Sequence, residues 1–100
     1  MAKRKIVWSS KAKLDLFSIL EYFYIRNGSK TYSVKLNAKI SRAVRLLSNH
    51  PFLGLQSDIE KVRTLVEGDY AIFYQVENEI IRITTIWDCR QDPENLTAPK

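Results

Sequence analysis

After Phe52-Leu53-Gly54 the spacing of apolar residues changes from about 3.6 to 2, so the chain must fold as helices first and strands second. Upstream, Ala12, Leu16, Ile19, Leu20 and Phe23 recur at i, i+4, i+7, i+8 and i+11, which is one apolar face of a helix. Ser9-Ser10 supplies its N-cap. Asn27-Gly28 ends it, because glycine tolerates the left-handed conformation that closes helices. Ser29 is the candidate N-cap of a second helix running to about Ser48, with Tyr32, Leu36, Ile40, Ala43, Val44 and Leu47 as its buried stripe. Asn49-His50-Pro51 stops that helix, since proline disfavours helical geometry in the residue before it. The short connection makes the pair an antiparallel hairpin.

Downstream, Val62, Thr64 and Val66 alternate with Arg63, Leu65 and Glu67, and Tyr70, Ile72, Tyr74 and Val76 alternate with Ala71, Phe73 and Gln75. Ile81, Ile83, Thr85 and Trp87 then alternate with Ile80, Arg82, Thr84 and Ile86. Gly68-Asp69 and Glu77-Asn78-Glu79 are the turns between these strands. With Lys5–Trp8 as a short first strand the order is β-α-α-β-β-β, an α+β fold. A helical hairpin lies on one face of a small, mainly antiparallel sheet. No repeat, linker or low-complexity segment interrupts the chain, so residues 1–100 are expected to form one domain, with about 91–100, holding Pro93 and Pro99, as a loose tail.

Composition narrows the function classes. One hundred residues with 45% hydrophobic content suffice for one core. No apolar run approaches the roughly 18–20 residues of a membrane span, and Ile6-Val7-Trp8 is too short for a signal-peptide core. Cys89 is the single cysteine, which rules out an intrachain disulfide and fits a reducing cytoplasm. With one Cys and one His, His50, no zinc site is expected; no glycine-rich phosphate loop and no Ser/His/Asp set is present, so no cofactor is implied. His50 before Pro51 reads as a loop or cap residue, Trp8 and Trp87 as core, and Cys89 as a small buried group.

Charge is divided unevenly. Residues 1–50 hold eleven Lys/Arg against two acids, a balance of +9, and residues 51–100 hold five against nine, a balance of −4. On the second helix Lys35, Lys39 and Arg42 fall at i, i+4 and i+7, with Arg45 nearby. They form a candidate contact for nucleic acid or for an acidic partner. The plain alternative is solubilising charge on an exposed face.

Several of these elements together resemble the RelE/ParE superfamily of toxins, over nearly the whole chain. Trp8-Ser9 followed by Ala12 and Asp15-Leu16 resembles the opening of those toxins, and His50-Pro51-x-x-Gly54 resembles the segment after their second helix. Gly68-Asp69-Tyr70-Ala71-Ile72-Phe73-Tyr74 resembles their Gly-x-Tyr-Arg-x-x-Tyr pattern. Trp87-Asp88-Cys89-Arg90 stands where they end in a His/Arg-rich motif. The resemblance implies a toxin neutralised by an antitoxin encoded beside it, with which it would form a hetero-oligomer. One branch of the family cleaves mRNA on the ribosome. The ParE-like branch inhibits DNA gyrase, and the fold does not choose between them.

Metal-free RNA cleavage needs a base for the 2′-hydroxyl, positive charge for the transition state and an acid for the leaving oxygen. The resemblance puts Ala71 where RNA-cleaving members carry Arg, and Asp88 where they carry His or Lys. Arg63, Arg82 and Arg90 remain as candidate catalytic residues for an RNase, with Lys61 weaker; Tyr70 and Asp88 mark a further candidate functional surface. Tyr70 and Tyr74 share a strand face and read first as anchors of the helix–sheet packing. Asp88 and Arg90, two apart at a strand end, can form a surface ion pair worth ~0–1 kcal/mol. Three readings stand: a ParE-like toxin that binds gyrase, a ribosome-dependent RNase built from the three arginines, and a non-toxic member that only binds its antitoxin or operon. The resemblance implies a basic or tyrosyl group near the C-terminus, and no Tyr or His follows residue 88; with Ala71 and Asp88 this favours the first.

Overall fold

Two long helices and five strands carry residues 3–58 and 61–90, which the computed structural model describes. In chain order they are β1 (Lys5–Trp8), α1 (Ser10–Asn27), α2 (Thr31–Asn49), β2 (Leu55–Gln56), β3 (Val62–Glu67), β4 (Tyr70–Val76) and β5 (Ile80–Asp88). The tail expected from about residue 91 lies outside the described residues.

The three alternating segments form the expected antiparallel meander, β3 on β4 and β4 on β5. β1 adds to it in parallel beside β5, and the sheet order is β1-β5-β4-β3-β2. A parallel neighbour needs a long crossover, and the α1–α2 hairpin is that crossover, laid on one face of the sheet. β2 was not expected from the sequence. A two-residue strand pairing Leu55 with Thr64 and Gln56 with Arg63 is too short to carry a period.

The helix boundaries follow their caps. Ser9 Oγ accepts the Ala12 N–H at 3.0 Å, and Gly28, at φ 68°, closes α1 with its N–H on the Tyr24 carbonyl. α2 departs from expectation. Its N-cap is Lys30 rather than Ser29, and no side chain caps it. His50 is its C-cap, donating its N–H to the Leu46 carbonyl.

Leu36, Ile40, Ala43, Val44 and Leu47 of α2 and Ala12 and Phe23 of α1 pack on Tyr70, Ile72, Tyr74, Ile81, Ile83 and Ile86. Each fully buried Ile or Leu contributes about 1.5–3 kcal/mol. Ile6, Trp8, Leu16, Ile19 and Leu20 pack against this core from its margin. Tyr32, expected in the buried stripe, is 41% exposed; it lies at the first turn, where α2 has run past the edge of the core, and only its ring touches Phe23.

One irregularity sets which way the end of β5 faces. Phe73 pairs with Thr85 but Tyr74 pairs with Ile83, so Thr84 is an extra residue, and its Oγ1 donates to the Phe73 carbonyl at 3.1 Å. Simple alternation put Thr85 and Trp87 beside Ile81 and Ile83. The bulge reverses this: Ile86 joins the helix-side core, and Trp87 packs on the opposite face with Val62, Ala71 and Phe73.

α1 completes β5 where β1 stops. The Ser9 N–H donates to the Ile83 carbonyl, Ser9 Oγ donates to the Thr84 carbonyl, and the Asp15 carboxylate accepts the Ile86 N–H at 3.1 Å. At the other end of the sheet the buried Tyr74 hydroxyl donates to the Pro51 carbonyl and accepts the Gly54 N–H at 2.8 Å. Gly54 sits so close that an added Cβ would lie 2.7 Å from both the Thr64 carbonyl oxygen and the Tyr74 hydroxyl.

Candidate functional site

The bulge at Thr84 gives the last turn of β5 its role. Past it, Ile86 and then Asp88 lie on the helix side, and Asp88 pairs across with Tyr70 at the start of β4. Gly68, at φ 59°, makes the turn that delivers Tyr70 to this place. Ser18, Ile19, Tyr22, Phe23 and Arg26 of α1 complete an open groove of about 610 Å³ with Asp88 and Arg90.

Arg90 organises the groove. Its Nε donates to Asp88 Oδ1 at 3.0 Å, and its Nη2 donates to Asp88 Oδ2 at 2.9 Å and to the Tyr70 hydroxyl at 3.0 Å. The Arg90 N–H also donates to Asp88 Oδ1, so the carboxylate holds both ends of the residue. The guanidinium lies over the Phe23 and Tyr70 rings, 5.6 Å from each centroid, and Asp69 is 3.8 Å from Nη1. The hydrogen bond from Arg90 draws the Asp88 carboxyl below its ordinary range. Burial pushes the Tyr70 hydroxyl up to about 12, against the opposing pull of Arg90. At neutral pH the cluster is therefore a charged pair beside a protonated phenol, with no group poised to move a proton.

Cys89 is exposed, a correction to the buried position expected of it. It follows directly from the strand's end: its N–H bonds the Asp69 carbonyl at 2.7 Å while its side chain turns away from the core. Partial desolvation, then the Asp88 and Asp69 carboxylates, raise its thiol above the ordinary value, the opposite of an activated thiolate.

The other arginines lie elsewhere. Arg63 pairs across from Tyr74, on the helix side of the sheet; its Nη1 donates to the Gly54 carbonyl at 2.7 Å and its guanidinium lies 4.9 Å over the Phe52 ring. Arg82 pairs across from Gln75 on the other face and is held by Glu77 at 2.8 Å. Arg63 stands opposite Tyr74 and Arg90 binds Tyr70, positions four residues or about 13 Å apart along β4 at 3.3 Å per residue. Lys35, Lys39, Arg42 and Arg45 lie exposed on α2, away from all three. Among the described residues no three His, Cys, Asp or Glu cluster as metal ligands would.

Sequence reasoning missed the outer face of α1. Leu14, Phe17 and Ile25 are 60–71% exposed, and Phe17, Leu20 and Tyr24 line an apolar groove with Val34 of α2. The signal was present: α1 is apolar on both sides, and its core needs only one.

Residues 6–93 match the family described as the ParE toxin of the type II toxin–antitoxin system parDE. The chain belongs to that family. Its fold is similar to that of the chromosomal ParDE toxin–antitoxin system from P. aeruginosa, with a TM-score of 0.74 and 24% identity over 84% of this chain and 94% of that one. It is also similar to a chain of the E. coli DinJ–YafQ toxin–antitoxin complex, with a TM-score of 0.52 and 17% identity over 84% of this chain and 90% of that one. No curated protein sequence matches it. In this ParE-family toxin, then, the Asp88–Arg90–Tyr70 cluster closes the end of β5 with an ion pair and a phenol. No helix among the described residues is long and apolar enough to cross a membrane.

Proposed function

We propose that this toxin arrests growth in the cytoplasm by binding a protein target, DNA gyrase, performs no chemistry itself, and is neutralised by a cognate antitoxin. Membership of the ParE family supports gyrase as the target. The observation that carries the non-catalytic part is the separation of the arginines. Cleavage of RNA without metal requires base, cation and acid within hydrogen-bond reach of one phosphate. Arg63, Arg82 and Arg90 are committed to different partners, the first to Gly54, the second to Glu77 and the third to Asp88 and Tyr70. Tyr70, with its hydroxyl pushed up to about 12, is no base at neutral pH.

The exposed apolar face of α1 supports an antitoxin partner. Phe17, Leu20, Tyr24 and Val34 form a groove that an amphipathic segment can fill with its own apolar side chains, and such a groove is costly to leave in water. This is the favoured form of the interaction; addition of a strand to a sheet edge is the other.

Growth arrest on expression of the chain alone, relieved by co-expression of its genomic neighbour, tests the toxin pair. Supercoiling by gyrase and translation-dependent mRNA cleavage are then assayed side by side with purified protein. Loss of supercoiling with intact mRNA is the expected result. Cleaved mRNA with normal supercoiling overturns it in favour of an RNase working through Arg63, Arg82 or Arg90. No growth effect at good expression overturns it in favour of a non-toxic member that binds only its antitoxin or operon.

A further inference from the structure

The strongest unabsorbed feature is the flank of α2 that faces neither the sheet nor α1. Thr31–Asn49 contains four cations and not one acid. Every ion pair among the described residues lies elsewhere: Lys11 with Asp15, Arg82 with Glu77, and Arg90 with Asp69 and Asp88. The side chains of Lys35, Lys39, Arg42 and Arg45 make no hydrogen bond, ion pair or ring contact among the described residues, and all four are exposed. The nearest acidic rim is Glu67 and Asp69 at the β3–β4 turn, which border Lys39 without reaching ion-pair distance.

We propose that this flank docks the phosphate backbone of duplex DNA, independently of sequence and independently of what the toxin inhibits. At 100° per residue Lys35, Lys39 and Arg42 fall within about 60° of arc, with Arg45 beside them, and Thr31 and Asn49 continue the same line at either end. With a 1.5 Å rise the cations span about 15 Å and the full row about 27 Å. That is an extended line of positive charge with a short polar side chain at each end and the half-exposed Leu46 and Tyr32 along it; the cations and short polar groups are the composition that contacts phosphates. It is not a pocket for a single anion.

Two observations favour DNA over other polyanions. A protein partner is held by buried aromatic and apolar anchors, and lysine is depleted from such interfaces. Here lysine supplies half of the cations, and most of the hairpin's exposed large apolar side chains, Leu14, Phe17, Tyr22, Tyr24 and Ile25, sit instead on α1. A straight helix bearing a row of cations can lie along the major groove of B-DNA, which is about 12 Å wide, whereas the A-form major groove of duplex RNA is too narrow and deep to be reached.

The test uses the full chain and fluorescence anisotropy with a labelled 20-base-pair DNA duplex of arbitrary sequence. A duplex RNA of the same length and a poly-glutamate peptide serve as the other probes. Between 50 and 200 mM KCl the three contacts of Lys35, Lys39 and Arg42 should by themselves weaken DNA binding roughly 40-fold, from a log–log slope of about −0.9 per phosphate. The triple variant K35Q/K39Q/R42Q should lose about 2.7 of that slope. A control of equal charge loss away from α2, K3Q/K5Q/K13Q, should keep most of it. Equal losses in the two variants, no binding at 50 mM KCl, or tighter binding of RNA or poly-glutamate than of DNA would each overturn the proposal.

Discussion

The two helices are nearly the same length, 18 and 19 residues, yet they meet solvent in opposite ways. α2 buries Leu36, Ile40, Ala43, Val44 and Leu47 and shows water a row of cations. α1 fully buries only Ala12 and Phe23 and shows water Leu14, Phe17 and Ile25. Apolar content therefore does not measure contribution to the core. α2 sets most of its apolar residues in the core and its four cations in water, with Tyr32, Val34 and Leu46 as its exposed apolar side chains. α1 is divided between two apolar surfaces, and only one of them finds its partner within the chain. The lesson is that the hairpin presents two different surfaces: one largely apolar, the other dominated by positive charge.

The sharpest way to break this comparison is in the core. Ile40→Ala removes a side chain with no exposed surface and should cost about 2–5 kcal/mol in urea or thermal unfolding, whereas Ile19→Ala on the margin of α1 should cost less than half as much. Equal losses would mean that the helices share the core evenly. Next in size, Phe17→Glu should leave stability unchanged but weaken antitoxin binding by about 2–4 kcal/mol, roughly 30- to 1,000-fold. Lys39→Gln should change that affinity by under ~1 kcal/mol. Titration calorimetry of both variants against the antitoxin decides it, and a larger effect at Lys39 would reverse the assignment of the two faces. The smallest effect lies at the caps. Ser9→Ala should cost about 1 kcal/mol, lowering Tm by about 4–8 °C, because α1 depends on that hydroxyl for its first turn. Ser29→Ala should stay within ~0.5 kcal/mol, since α2 has no side-chain cap to lose.

The element order and the helix-side core were legible because a stripe at 3.6 or 2 residues survives in the sequence whatever the loops do. What escaped it has local causes. Nothing in Thr84-Thr85 distinguishes an extra residue from an ordinary pair of strand threonines, so the phase of β5 after that point was misread and Trp87 was expected on the wrong face. Ser29 looks like a cap, but capping needs the residue next to the first helical turn, and α2 begins two positions later, at Thr31. The arginines are the clearest case. A sequence lists Arg63, Arg82 and Arg90 as three cations of one character. Only pairing register reveals that Arg63 stands opposite Tyr74 and Arg82 opposite Gln75, on different faces. Asp88–Arg90 could be read directly, since two residues apart on a strand project to the same side.

The extra residue in β5 has a consequence for how this chain can change. Before Thr84 the strand keeps Ile81 and Ile83 inward; after it, Ile86 and Asp88 take that side. Parity along the strand is thus reversed by a single position, and the Tyr70–Asp88–Arg90 cluster hangs on that reversal. Deleting Thr84 would remove the bulge and leave the faces alone: Tyr74 would still stand opposite Ile83, Phe73 opposite Thr85, and Trp87 and Asp88 would keep their sides. Losing one residue after it, between Thr85 and Asp88, would instead exchange the sides of everything that follows. The strand can therefore give up length at the bulge and nowhere beyond it.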